Sequence, residues 1–444
     1  MEKNIVIYIK NKKTNIYSNI KLLFLKISNS KLFKDSFWAV FGNGIGNALM
    51  LFAGIIIARL LGKDLYGEYG IVKTTMFYIA SFATLGLGVT STKYIASLIS
   101  SRSSHVGNII CDSISITLIF SGIIAIFLFI SAPYLAVFLN ETSLTMPFKA
   151  LAIVIIFKAI TTTQIGILAG FKKFREIAIN SILSGIIMLI LCIPLTYEFG
   201  LKGSLLTLLL SQIFNSVVNY FSVRKNTKNV SLVKNVSYKK ELIYFSFPVA
   251  LQESSFTICN WAAIMMLTKY SSLGEVGLYT ASAQWNSIIT MIPGLLINVV
   301  LSYLSGSVNE KRLHKKTLKL MLCVNIITTI IPFVIVYFMA NFIATFYGES
   351  FSEMPSVLRI LTFSTILEAC ASVYKSELLA LGKTWFLFLI RFIRDLILVV
   401  SVYILLKNAG GNNGAIMYSW AVVIMSVIFL LSLFITYKIE IYNK

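Results

Sequence analysis

Histidine is nearly absent from this chain. Only His105 and His314 occur in 444 residues, and no HExxH or paired Cys/His spacing accompanies them. A zinc site needs three or four converging ligands, so the sequence offers no metal centre, and no cofactor is expected. Cysteine is scarce too. Cys111, Cys192, Cys259, Cys323 and Cys370 all fall in apolar stretches, and no CxxC occurs. They read as small buried hydrophobes rather than disulfides or ligands. Acidic residues number 18 against 39 basic ones, a net charge of +21. Such an excess raises nucleic acid as a partner. Its placement argues against one, because Lys and Arg gather between long uncharged runs. Charge is missing altogether from 113–140 and 412–437. Nucleotide loops are missing as well. GKT at 382–384 resembles the end of a phosphate loop, but position 377 is Glu where that loop requires glycine. FGNGIGN at 41–47 ends in Asn and is not GxGxxG.

What is present is apolar length. The chain is 57% hydrophobic, with a mean hydropathy of +0.82. About 20 apolar residues cross a bilayer as a helix, and backbone groups in lipid must be satisfied within the segment. The expected fold is an all-α integral membrane protein with about twelve spans: 36–61, 67–98, 107–138, 144–169, 177–199, 203–223, 241–268, 276–306, 318–346, 355–381, 384–407 and 413–437. The second and eighth are long, which predicts tilt or overshoot. Every second connection is basic, for example Lys172, Lys173 and Arg175, or Lys311, Arg312, Lys315 and Lys316. The alternate connections carry acids such as Asp64, Glu141 and Glu353. That alternation places both termini in the cytoplasm. Five regions follow: a basic arm 1–35, a first lobe 36–223, a basic linker 224–240, a second lobe 241–438 and a tail 439–444. No cleavable signal peptide is evident. The arm interleaves Lys with Ile, Leu and Phe, which fits either a helix lying on anionic lipid or a solvated tail.

The chain repeats itself at half length. ARLLGKDLYGEYG at 58–70 and TKYSSLGEVGLYT at 268–280 align at an offset of 210, pairing Gly67 with Gly277 and Tyr69 with Tyr279; Ser36-Phe37 matches Ser246-Phe247 at the same offset. Further on, LAGFK aligns with LALGK, and FGLKGS with GGNNGA, at 211. Each half holds six spans. An even number returns the chain to its starting side, so the two lobes are expected to be related by a parallel pseudo-two-fold axis around a central cavity.

ARLLGKDLYGEYG, LGEVGLYTASAQW and LAGFKKFREIAINSILSGIIMLILCIPLTYEFGLKGS resemble the polysaccharide-export branch of the multidrug/oligosaccharidyl-lipid/polysaccharide (MOP) flippase superfamily, and within it the Wzx-type O-antigen and repeat-unit flippases. The resemblance runs from about Ser36 to Lys438. It implies a multi-pass protein of the bacterial inner (cytoplasmic) membrane, not an enzyme. Such a protein moves undecaprenyl-diphosphate-linked oligosaccharide outward by alternating access, beside glycosyltransferases and a polymerase. Lipid II flippases usually carry two further C-terminal spans, which this sequence does not show.

Ionisable residues inside spans cost several kcal/mol and mark cavities or partners. Arg suits phosphate oxygens, so Lys158, Arg391, Arg394 and Lys375 are candidates for an anionic head. Glu253, Glu368 and Asp395 are candidates for charge balance or for a coupling ion, proton or sodium. Arg391 and Asp395 share a helix face at i, i+4 and are expected to pair. Asn43, Asn47 and Asn180 continue a polar wall in the repeat register, while Gly42 and Gly46 allow close packing. The same charges fit internal salt bridges that only fix the packing. Lys149, Arg359 and Glu377 lie near span ends, where snorkelling explains them. Three other functions compete with a flippase. A multidrug cation antiporter is opposed by the cationic lumen, and a polysaccharide polymerase by the short outside loops. A membrane protein without transport is opposed by the buried charge.

Overall fold

The computed structural model describes residues 31–100, 105–227, 233, 236–307, 311–381, 383–408 and 413–442. Part of the basic arm (1–30) and part of the linker (228–232, 234 and 235) lie outside them, as do residues 443–444. The helices are α1 Lys31–Ala83, α2 Leu87–Ser100, α3 Val106–Phe138, α4 Thr145–Gly170, α5 Phe174–Asn226, α6 Lys239–Tyr270, α7 Leu273–Ser307, α8 Lys311–Phe338, α9 Ala340–Tyr347, α10 Met354–Ala380, α11 Thr384–Asn408 and α12 Gly414–Tyr442. No strand occurs among the described residues. Among the described residues seven helices are long and apolar enough to cross a membrane, and the chain is a multi-pass, all-helical integral membrane protein.

Two of these helices are hairpins. α1 and α5 have 53 residues each, which at 1.5 Å per residue is about 80 Å, far beyond a hydrocarbon core of about 30 Å. Each reverses at a glycine in the left-handed region, Gly62 (φ 73) and Gly200 (φ 55), where a side chain is strained. Gln284 reaches both Gly54 on one arm of α1 and the Tyr66 hydroxyl on the other. In α5, the Thr207 hydroxyl lies 3.4 Å from Leu191 O. The turns fall where the sequence places the boundaries after 61 and 199.

Two spans differ from expectation. The second does not run unbroken over 67–98. Leu85 (φ 48) and Gly86 (φ 70) are consecutive left-handed residues, and they end α1 and start α2. The ninth stops at Phe338, and the short α9 follows as a separate piece. The offset also changes. Phe171 N–H donates to Ile167 O and Lys173 N–H to Leu168 O; Leu381 N–H donates to Glu377 O and Lys383 N–H to Leu378 O. The two helix ends therefore superpose at 210 throughout, rather than at the 211 read from LAGFK and LALGK.

The halves meet where the Gly62 turn lies. A Cβ on Gly67 would sit 1.9 Å from Leu273 O, and one on Gly277 would sit 2.1 Å from Lys63 O. Leu273 is the repeat counterpart of Lys63, so the contact is reciprocal. Gly70 abuts Thr280, its own counterpart. Around this seam Tyr66, Tyr69, Tyr347 and Phe351 are fully buried in the largest hydrophobic cluster, which draws on both halves. At the other end the linker is clipped to α3. Asn108 Nδ2 donates to Val233 O at 2.9 Å and to Val236 O at 2.7 Å, and Asp112 Oδ2 accepts from Tyr238 N–H at 2.7 Å.

Candidate functional site

Helical spacing alone assembles the charged wall. On α10, Glu368, Ser372 and Lys375 recur at i, i+4 and i+7; on α11, Arg391, Arg394 and Leu398 recur at i, i+3 and i+7, so each set shares a face. The two faces meet across a cavity of about 310 Å³ in the C-terminal half. α6 contributes Phe256 and Asn260, α7 contributes Tyr279 and Asn286, and α12 contributes Ser426 and Phe429.

The guanidinium groups are held by rings. Arg391 Cζ lies 4.3 Å from the centroid of Phe256, and Arg394 Cζ lies 4.6 Å from that of Phe429. Stacking leaves the edge donors of a guanidinium aimed sideways, the geometry in which it grips phosphate or carboxylate oxygens. Cation–π attraction strengthens as water is withdrawn. Asp395 does not pair with Arg391 at i, i+4 as expected; Arg394 Nε donates to its Oδ1 at 2.8 Å, and Nη2 donates to the same oxygen. A long Arg side chain can curl back on its neighbour, and Asp395 is buried behind the wall at 1% exposure. Among the described residues its Oδ2 has no hydrogen-bond partner. Of the carboxylates, Glu368 lines the cavity and Asp395 does not.

The other candidates are dispersed. Lys158 does not line this cavity; its ammonium lies 5.0 Å from the Phe77 ring in the N-terminal half. Asn180 is buried among α5 side chains, donating to Asn219 Oδ1 and Ser222 Oγ at 3.0 Å each. It ties the arms of α5 together instead of facing a lumen. Asn47 is exposed and points at Met291 Sδ, 3.9 Å away. The side chains of Asn43 and Glu253 lie outside the described residues. Gly42 and Gly46 pack α1 on Ala178 and Ser181, as the close-packing reading predicts.

Two features escaped the sequence reading. Lys73, half-buried, follows Gly70 by one turn on the face toward α7, with its ammonium 5.9 Å from the Tyr69 ring. Among the described residues neither Lys73 nor Lys158 forms an ion pair. Lys73 lies inside the expected second span and meets the same cost criterion as the residues singled out. Glu377 does not snorkel. It is 1% exposed and 2.6 Å from His314 Nε2, a pair that 63 residues of sequence separation conceal. Among the described residues no group of three or more His, Cys, Asp or Glu side chains is placed to hold a metal.

Comparison with known proteins places this geometry. The sequence is 23% identical over 407 residues to a Shigella flexneri protein named "Putative O-antigen transporter", covering 88% of this chain and 95% of that one. In backbone, it matches an inward-facing multidrug resistance MATE family transporter of the MOP superfamily at a TM-score of 0.78, with 16% identity over 90% of this chain and 95% of that one. It matches the lipid II flippase MurJ in an inward closed conformation at 0.70, with 18% identity over 91% and 87%. The fold is that of MOP-superfamily transporters. The sequence profile of the family described as "Polysaccharide biosynthesis protein" matches residues 32–308, more than half of the chain, which therefore belongs to that family.

Proposed function

We propose that the protein is a flippase that carries undecaprenyl-diphosphate-linked oligosaccharide repeat units across the bacterial inner membrane by alternating access, for O-antigen, capsule or exopolysaccharide synthesis. The observation that carries the reading is the cationic cavity. Among the described residues the cations Lys375, Arg391 and Arg394 line about 310 Å³, together with Glu368. A diphosphate needs such donors. An organic cation is repelled by them, which disfavours drug export despite the shared fold.

The architecture that fits this work has twelve spans in two six-helix lobes about a pseudo-two-fold axis, with both termini cytoplasmic. The reciprocal contacts at an offset of 210 support the axis. The hairpins α1 and α5, each counted as two spans, support the number. The packed seam near Gly62 supports a state sealed on the outer side and open inward. Within this scheme Arg391 and Arg394 hold the diphosphate, Lys375 assists, and Glu368 balances charge or carries a coupling proton. Lys158 and Lys73 supply positive potential from the opposite lobe. The products pass to a polymerase, and glycosyltransferases supply the lipid-linked unit.

The test is the sidedness of the lipid-linked repeat unit in cells lacking the protein. Accumulation facing the cytoplasm, relieved by wild type but not by an Arg391→Gln/Arg394→Gln double variant of normal expression, is the expected result. Relief by both would remove the cavity from the mechanism. Normal outward exposure in cells shown to have no second flippase would remove the function.

A further inference from the structure

A second cavity lies on the far side of α6 from the cationic one. It has a volume of about 660 Å³ and apolar walls, including Tyr78 and Phe82 from α1, Leu128 and Phe138 from α3, and Thr257 and Trp261 from α6. Its rims include Tyr134 at 76% and Phe127 at 73% exposure, so it opens sideways, toward lipid, rather than along the bundle. The lipid-facing surface of a spanning helix is ordinarily convex. This one is a slot, cut where helices of the N-terminal half meet α6 of the C-terminal half.

The placement of the slot identifies its occupant. Thr257 and Trp261 of α6 face the slot, while Phe256 and Asn260, their neighbours in sequence, face the cationic cavity. One helix thickness, about 10 Å, separates apolar slot from phosphate-scale cavity. Tyr78 of the slot and Tyr279 of the cavity pack on the same hydrophobic cluster. Beside the slot, the Lys269 ammonium lies 3.6 Å from the centroid of Phe138, one of the wall residues. A ligand satisfying both chambers at once is an amphiphile with an anionic head and a bulky apolar chain. Six aromatic rings in the wall, Tyr78, Phe82, Phe127, Tyr134, Phe138 and Trp261, suit a chain studded with methyl branches and double bonds.

We propose that the slot between α1, α3 and α6 seats the polyprenyl chain of the transported lipid while its diphosphate lies in the cationic cavity. This inference rests on the flippase reading above. It gives α6 a role in dividing head from tail, and it makes chain type, not only sugar, a determinant of recognition.

The experiment uses the full-length protein in phosphatidylcholine nanodiscs and a geranylgeranyl diphosphate carrying benzophenone at the far end of its chain. Irradiation is expected to label peptides spanning 124–138 and 257–261. Excess undecaprenyl phosphate should abolish the label, and excess phosphatidylglycerol should leave it. Ser131→Trp and Ile258→Trp each fill the slot from a different wall, and in each the label there should fall about tenfold, or about 1.4 kcal/mol. The proposal is overturned if the label maps to other helices, if phosphatidylglycerol competes equally, or if both Trp variants label as wild type does. Photocrosslinking in cells from a benzoylphenylalanine at Ile124 that captures a polypeptide would also overturn it. All of these leave the flippase reading standing. Absence of any saturable binding of the probe to folded protein would sink both.

Discussion

Arg391 and Arg394 each stack on a ring, and what Arg394 does beside that is measurable. Arg391 stacks on Phe256 at the cavity wall. Arg394 stacks on Phe429 and also neutralises the buried Asp395. Removing one partner of a buried pair leaves the other charge stranded, at about 3–5 kcal/mol. Arg394→Gln should therefore lower the thermal midpoint in detergent sharply, and Arg394→Gln with Asp395→Asn should recover most of it. Arg391→Gln should abolish transport. An Arg394→Gln variant as stable as wild type would deny Asp395 its dependence. Residue chemistry was legible in part. The cost of charge in lipid singled out Lys375, Arg391, Arg394 and Glu368, and the structure brings these four to one cavity. The same rule named Lys158, which lies in the other half. The partner of Asp395 was not legible, because spacing ranks Cβ positions and not how a long arginine side chain curls. Asn180 was assigned to a wall by a register one residue off; hydrogen bonds at the α4 and α10 ends, not letters, fix that register.

At the scale of elements, the hairpins are where sequence and structure agree best, because apolar length and glycine both act locally. The break at Leu85-Gly86 was harder. The run between Lys73 and Lys93 carries no charge across the break, and hydropathy is blind to backbone sign. The Gly67–Gly277 contact sets an element-level prediction. Leu at Gly67 places carbon against Leu273 O, and overpacking of this kind costs about 1–3 kcal/mol. That cost falls on the sealed form alone. Spin labels at Lys63 and Glu353, whose side chains are 3.6 Å apart, should report a longer distance in Gly67→Leu, and an unchanged distance would mean that the seam is not a gate. The linker clip gives another. Asn108→Ala with Asp112→Ala removes buried acceptors and donors worth about 1–3 kcal/mol each. Hydrogen exchange at Tyr238 should rise by at least tenfold; unchanged exchange would show that the clip carries no load.

For the whole molecule, the relevant quantity is the balance between two arrangements of the halves. A ligand shifts such a balance only by its differential affinity for the two. The cationic cavity lies wholly within the C-terminal half, with walls from α6, α7, α10, α11 and α12. Binding a diphosphate there favours opening only if Lys73 and Lys158 contribute differently in the two states. Replacing both by Gln should leave probe binding within about threefold, a difference below 1 kcal/mol, yet reduce the ligand-induced change in the Lys63–Glu353 distance. Equal changes in variant and wild type would show that the N-terminal lysines are bystanders.

The turn after α4 and the turn after α10 superpose at an offset of 210, and both helices run back from them without interruption. Lys158 and Glu368 are therefore counterparts: the same place in the repeat, with opposite sign. Two helix ends that match in backbone carry charges that do not. The two halves are thus electrically unlike. On the flippase reading, a diphosphate held by Arg391 and Arg394 is expected to move with the C-terminal half, while Lys158 and Lys73 offer it positive charge from the other. Its expected path is then an arc fixed by one lobe, like that of a passenger on one arm of a lever, instead of a line straight down the middle.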